Sequence, residues 1–265
     1  MIYGERMRMV RELAGMTQSE FAGEIGVSQG AVAQFERGEV QPAPATLERV
    51  SAQTGFPTRF FERPLDEDFS LGSLAFRSLK SMTARERKRA HRYGQLTYQL
   101  VAAAAPHLRL PEVRLPRQAD LELCETPEDA AALTRATMGL SPDAPIKSVM
   151  AAVERAGVVV LSVPVELPKS DAFSLWTGPG LRRPVIVLLG SPPGDRLRFT
   201  IAHELGHLVL HGRSGAAPLE EEAHRFGGAF LVPASALAEE LPRHVTLSDL
   251  GMLKERWGVS IASLI

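Results

Sequence analysis

The 265-residue chain has little of several features that mark whole classes of protein. Its single cysteine, Cys124, excludes an internal disulfide framework and a cysteine-rich zinc site. No apolar run approaches the roughly 18 residues of a membrane span, and the charged start lacks the apolar region of a signal peptide. With 30 basic and 31 acidic side chains, no overall charge attracts nucleic acid or membrane. These absences favour an intracellular, cytoplasmic protein.

The apolar periodicity divides the chain into three parts. Residues 1–64 predict an all-α unit of four short helices, and residues 65–124 predict a linker that contains a basic helix at about 83–105. Residues 125–265 mix helices with the apolar strands "VVVLSVPV", "DAFSLWTG" and "RPVIVLLG", so we expect an α+β domain there. Within it, Thr126 and Pro127 begin one helix, and "SPDAPIKSVMAAVERAG" predicts another that ends at Gly157.

The stretch "FTIAHELGHLVLHG" (199–212) predicts a metal-binding helix. His203 and His207 are four residues apart, so both imidazoles lie on one helix face and can bind one ion. Glu204 lies about 100° round the helix from His203, where it can act on a water molecule as a general base. The alternative is a chance arrangement of polar residues on a core helix.

A third ligand is expected from the start of the next predicted helix, 218–231. We favour Glu220 over Glu221 and Glu222, because a residue four positions on, His224, can then hydrogen-bond a ligand histidine from behind. The helix dipole alone would also explain acidic residues here. His211 shares the face of the two histidines but lies about 12 Å along the axis from His203, so we expect a structural role for it.

The same region offers candidates for substrate alignment and for stabilising a transition state. "RPVIVLLG" (183–190) predicts a buried strand of the sheet, a strand that aligns an extended substrate by main-chain pairing, or both. A donor for the transition state is harder to find, because all three tyrosines lie far upstream. Arg198, His224 and His244 are the remaining candidates.

"RPVIVLL", "GDRLRFTIAHELGHLVLH" and "EEEAHRFGGAFLVP" together resemble the ImmA/IrrE family of metallopeptidases over roughly residues 125–265. The matching positions are Arg198, Phe199, His203, Glu204, His207, Glu220, Ala223, Phe226 and Pro233. The resemblance implies a zincin-like metallopeptidase that cleaves a repressor or other regulatory protein. Two positions depart from the family pattern. His224 replaces the usual asparagine, so a metal site with four histidines stays open. Gly227–Gly228 replaces small, alanine-like residues.

Residues 16–55 resemble the helix-turn-helix of the lambda-repressor-like XRE family. Thr17 and Glu20 form a capping box, Gly26 permits the turn, and Ser28 caps a second helix that Gly38 ends. In this geometry the start of the second helix enters the major groove of DNA. The residues expected to face bases or phosphates are Ser28, Gln29, Gly30 and Gln34. A helix-turn-helix retained only as a protein-interaction module is the alternative.

Positive charge that the helix-turn-helix lacks is concentrated in "FRSLKSMTARERKRAHR" (76–92). This run is either a solvated helix face or an extension of the DNA contact surface. At the other end, "LSDLGMLKERWGVSIASLI" (247–265) repeats a helix–turn–helix rhythm, with Gly258 at the turn and Ser260 as cap. The sequence ends as the next helix begins, which suggests a truncated C-terminus.

The sequence therefore leads to one hypothesis and one rival. The hypothesis is a zinc endopeptidase with a DNA-binding domain, which cleaves a transcriptional repressor or antitoxin-like protein; His203, His207 and Glu220 bind the metal and Glu204 is the base. The rival is a DNA-binding regulator whose zinc domain serves as a sensor or partner-binding module. The intact Glu204 favours the enzyme. A homodimer, and another divalent ion such as Mn²⁺ in place of zinc, are left open.

Overall fold

The structure, a computed structural model, describes residues 1–65, 83–163, 171–176, 183–190, 194–211 and 220–264. They form two compact units, one of residues 1–65 and 83–100 and the other of the described residues from 101 onwards. Among the described residues, none of the helices is both long and apolar enough to cross a membrane.

The first unit is entirely helical, and its four predicted helices are confirmed. They are α1 (Gly4–Leu13), α2 (Gln18–Ile25), α3 (Gln29–Arg37) and α4 (Pro44–Thr54), followed by a short 3₁₀ helix at Thr58–Glu62. The Thr17–Glu20 capping box begins α2, and Gly26 ends it in the left-handed conformation, with φ 65°. Phe21, Ile25 and Val32 are fully buried between the helices.

The basic stretch forms a long helix, α5 (Ala84–Ala104), as predicted. The sequence places this helix in a linker, but its part up to Leu100 belongs to the first unit. Arg92 pairs with Glu12 of α1 at 2.6 Å, and Arg85 pairs with Glu20 at 3.0 Å. Arg89 donates to the main-chain carbonyl of Leu13. Several basic side chains of α5 therefore bind residues of the first unit. Residues 76–82 of the basic run lie outside the described residues.

The second unit contains α6 (Gln118–Leu121), α7 (Pro127–Thr137), α8 (Val149–Arg155), β1 (Val159–Val163), β2 (Ala172–Trp176) and β3 (Pro184–Leu189). Then follow α9 (Gly194–Leu210), α10 (Glu220–Leu231), α11 (Ala234–Glu240), α12 (Leu247–Trp257) and a 3₁₀ turn at Ile261–Ser263 that Ser260 caps. The α+β expectation is confirmed for this unit.

The helix predicted to end at Gly157 is much shorter than expected. Only α8 (Val149–Arg155) is helical, and Ser148 caps its start by accepting from the backbone N–H of Ala151. Upstream, the buried Arg135 binds the carbonyls of Ser141 and Ala144, which holds that segment in an irregular path. The sequence pattern did not reveal this long-range constraint.

The sheet has the order β1-β3-β2. β3 runs parallel to β1 and antiparallel to β2, so both of its main-chain edges are occupied. All its residues are buried. The prediction that "RPVIVLLG" is a buried strand is confirmed, and the added role of pairing with a substrate is contradicted by the two occupied edges. α9 packs beside the sheet, where the indole N–H of Trp176 in β2 donates to the Leu208 carbonyl at 3.0 Å.

Helices α9 and α10 cross closely at two glycines. A Cβ built on Gly206 would lie 3.0 Å from the ring of Phe226 and 3.2 Å from the Cα of Ala223. A Cβ on Gly227 would lie 3.2 Å from the backbone nitrogen of His203. In contrast, a Cβ on Gly228 meets no atom within 4 Å. Side chains at the first two positions would push the helices apart.

Gly206→Val should therefore destabilise the protein much more than Gly228→Val. Both changes add the same atoms inside a helix, so their difference isolates the clash between α9 and α10. We expect the free energy of unfolding of Gly206→Val to be lower by roughly 1–3 kcal/mol, a typical cost of overpacking. Chemical denaturation followed by circular dichroism measures it, and equal stability of the two variants would refute the close crossing.

Candidate metal centre

Three side chains from α9 and α10 converge on one point. The Nε2 atoms of His203 and His207 are 3.1 Å apart. The Glu220 carboxylate places Oε2 3.2 Å from His203 Nε2 and Oε1 3.5 Å from His207 Nε2. One turn of α9 separates the two histidines, and Glu220 is the first residue of α10. Two imidazoles and a carboxylate thus share one small volume.

The spacing of these atoms fits a tetrahedral ion. Zinc bound at about 2.0–2.1 Å to nitrogen and oxygen holds its ligand atoms about 3.3 Å apart, close to the three distances observed. One buried oxygen at the site, Oε2 of Glu204, has no hydrogen-bond partner among the described residues. Buried polar atoms rarely stay unpaired, so this donor set suits a bound metal with an associated water molecule.

The electrostatics of the three groups favour a charged carboxylate. Hydrogen bonds from His203 and then His207 hold the pKa of Glu220 well below its ordinary value. Burial works to lower the pKa of His207, but the hydrogen bond with Glu220 and the charges of Glu204 and Glu220 outweigh it, so that this pKa is raised. Negative charge thus surrounds the two imidazoles, as a site for a cation requires.

Glu204 follows the first histidine on α9, as the sequence requires, and is 7% exposed. Its unpaired Oε2 and its electrostatic influence on His207 place it beside the ligands. A buried carboxylate of this kind can accept a proton from a water molecule at the metal position.

His211, for which we expect a structural role, and Glu222, a rejected candidate ligand, form a pair behind the ligands. His211 Nδ1 is 3.2 Å from Nδ1 of His207, and His211 Nε2 is 2.9 Å from Oε2 of Glu222. Burial lowers the pKa of His211, which favours its neutral form. The four-residue spacing of His207 and His211 was the available signal, but the partnership with Glu222 depends on the packing of α10 on α9.

The expected hydrogen bond from His224 to a ligand histidine is not among the hydrogen bonds of the described residues. The ring of His224 is exposed, 4.8 Å from the ring of Phe199 and 6.4 Å from that of His203. The hydrogen bond to a ligand ring is made by His211 instead. Glu221, the remaining acid of the predicted trio, is exposed.

Of the three candidate donors for the transition state, only His224 lies beside the metal ligands. Arg198 donates to the carbonyls of Ile146, Lys147, Trp257 and Gly258, so it holds the α12 turn against α9. His244 is exposed between α11 and α12. A cavity of about 520 Å³ lies on the His224 side, with Arg196, Phe199, Arg225, Gly228 and Val259 among its lining residues.

In the first unit, the four residues predicted to contact DNA share the start and outer face of α3. Ser28, Gln29, Gly30 and Gln34 are all exposed. Ser28 also caps α3 by accepting from the backbone N–H of Ala31 at 3.1 Å. The Gln29 amide donates to Gln18, whose own amide donates to the buried Glu36. These hydrogen bonds fix the orientation of Gln29.

Comparison with known protein families gives two matches. Residues 153–265 match the Peptidase_M78 model, described as an IrrE N-terminal-like domain, and residues 7–61 match HTH_3, a helix-turn-helix model. No curated protein matches the chain. The matched regions contain the convergent His203, His207 and Glu220 and the exposed start of α3, respectively.

Glu220→Gln should lower metal affinity far more than Glu221→Gln. Both replace a carboxylate by an amide in the first turn of α10, but only Glu220 faces the two histidines. Zinc binding to the purified full-length chain, measured by competition with a chromogenic chelator, should give about one ion per wild-type chain. Equal affinities of the two variants would exclude Glu220 as a ligand.

Proposed function

We propose that this chain, which joins an XRE-type helix-turn-helix to an ImmA/IrrE-family domain, is a zinc-dependent endopeptidase that cleaves a regulatory protein. The observation that carries the proposal is the convergence of His203, His207 and Glu220 beside the buried Glu204. A purely structural zinc site closes its fourth position and has no use for a carboxylate base. Three protein ligands leave that position for a water or substrate.

The residues divide the chemistry between them. His203, His207 and Glu220 would hold the ion, which polarises the substrate carbonyl and makes water a stronger nucleophile. Glu204 accepts a proton from the attacking water and then delivers it to the nitrogen of the leaving amine. Overall, a C–O bond to the water oxygen forms and the C–N bond breaks. Glu204 transfers one proton from the water to the leaving nitrogen.

The substrate is proposed to occupy the cavity on the His224 side. Phe199, His224 and Gly228 line this cavity, and a Cβ on Gly228 would meet no atom within 4 Å. An imidazole N–H of His224 is suited to bind the carbonyl oxygen of the substrate as charge develops on it. The resemblance to the ImmA/IrrE family supports a repressor or antitoxin-like protein as the substrate.

The Glu204→Gln variant tests this function. An amide can neither take the proton of the water nor return one to the amine, whereas the fold and the three ligands are untouched. We expect zinc binding to persist and cleavage of the cognate protein to fall on the order of a hundred- to ten-thousandfold. The assay co-expresses the full chain with candidate regulators encoded nearby and detects a discrete fragment by mass spectrometry.

Glu221→Gln is the matched control, because it removes an exposed carboxylate outside the ligand set. The same fragment from wild type and from Glu204→Gln, at the same rate, would overturn the peptidase proposal. Regulation that is unchanged by the mutation would transfer the proposal to a regulator without protease activity.

The helix-turn-helix is proposed to bind duplex DNA through Ser28, Gln29, Gly30 and Gln34. Glutamine is suited to a bidentate contact with adenine, and Gln29 is already oriented by Gln18. On α5, Arg87 and Lys88 are exposed and available for phosphates, whereas Arg89 binds a carbonyl of α1. Binding is therefore expected to be modest and to weaken steeply with salt.

Two variants separate base recognition from phosphate attraction. Gln29→Ala should relax sequence preference, because it removes a side chain that faces the bases. Arg87→Ser with Lys88→Ser should weaken binding to all duplexes alike and lower the dependence of log affinity on log salt by up to about two units. Electrophoretic titration against an operator pool at several salt concentrations measures both; no binding at low salt would favour an interaction module.

A further inference from the structure

We propose that His211 and Glu222 are positioning residues of the metal centre, linked to the ligand His207 through a continuous hydrogen-bonded chain. The chain would fix the ring of His207 with Nε2 facing the metal and would pass the influence of the Glu222 charge to that ligand. This proposal rests on the metal site proposed above.

The direction of each hydrogen bond follows from the chemistry of the three groups. A carboxylate only accepts, so Nε2 of His211, 2.9 Å from Glu222, must carry the proton. Nε2 of His207 is the atom that lies beside His203 and Glu220, and it can bind a metal only through a free lone pair. The proton of His207 then lies on Nδ1 and is donated to Nδ1 of His211 at 3.2 Å.

The position of His211 excludes it as a ligand in this arrangement. It contacts the Nδ1 side of the His207 ring, whereas the ligand atoms gather at Nε2, on the opposite side of that ring. His207 and His211 are 4% and 8% exposed, so water does not compete freely for their hydrogen bonds. A carboxylate–histidine chain behind a ligand histidine raises its basicity and locks its tautomer.

The two ligand histidines differ in whether their Nδ1 atom has a hydrogen-bond partner. Among the described residues, Nδ1 of His203 is buried without a hydrogen-bond partner, whereas Nδ1 of His207 is held by the chain. Glu222 also lies two residues after the ligand Glu220, in the first turn of α10. The His211–Glu222 bond thus ties that turn to the end of α9, which helps to keep Glu220 directed at the histidines.

A graded set of variants separates charge from geometry. Glu222→Gln keeps an acceptor for His211 but removes the charge, whereas Glu222→Leu removes both. His211→Asn keeps an acceptor at the δ position for His207, whereas His211→Leu removes it. Glu221→Gln and Glu221→Leu are the matched controls, since this side chain is exposed on the same helix.

Two measurements on the full-length protein test the proposal. Competition with a chelator gives the zinc dissociation constant, and ¹⁵N NMR of the histidine rings gives the tautomer of His207 without metal. We expect Glu222→Leu and His211→Leu to weaken zinc binding about 10- to 100-fold. Glu222→Gln and His211→Asn should fall between these variants and wild type, and the controls should match wild type. His207 should carry its proton on Nδ1 in wild type and lose that preference in His211→Leu.

The outcomes distinguish this proposal from the metal site on which it rests. Wild-type zinc binding with the Glu222 and His211 variants within twofold of the controls would overturn the positioning role and leave the site standing. A wild-type His207 protonated on Nε2 would also overturn it. Absence of zinc uptake by wild type would remove the metal site and the positioning role together. Circular dichroism of Glu222→Gln, a change at a partly exposed side chain, checks that the fold is retained.

Discussion

The close crossing of α9 and α10 is the constraint on which the candidate site depends. Two ligands lie on one helix and the third on the other, so the distance between the helices sets the ligand geometry. Gly206 and Gly227 permit the contact, because a Cβ at either position would press on the facing helix. Where the helices meet, His203, His207 and Glu220 come within bonding range of one ion.

The crossing is held by contacts that lie away from the ligands. Near the start of α9, Arg198 binds four main-chain carbonyls, two in the segment before α8 and two at the end of α12. Near its end, Trp176 of β2 binds the carbonyl of Leu208. The carbonyl of Phe230 in α10 accepts from the buried Arg135 of α7 at 2.6 Å. Rigid support of this kind is what a site needs to keep its ligands in place when the metal is absent.

Features that depend on neighbours along the chain were predictable from the sequence. The helices with Ser, Thr or Gly caps, the three strands and the spacing of His203 and His207 all follow local rules. The central position of β3, the carbonyl partners of Arg198 and the pairing of His211 with Glu222 join segments that are distant in sequence. Local periodicity carries no information about these contacts, so it predicts neither the occupied edges of β3 nor that His211, rather than His224, hydrogen-bonds a ligand histidine.

The most direct test of the proposed metal centre is an anomalous difference map, measured at the zinc edge, from crystals of the full-length chain grown with zinc. We expect one peak bound by Nε2 of His203, Nε2 of His207 and the carboxylate of Glu220, with Glu204 outside the ligand set. His211 should remain on the Nδ1 side of His207, in contact with Glu222. A peak ligated by His211 or Glu222, by Glu204, or by no residue of α10 would contradict the proposed centre.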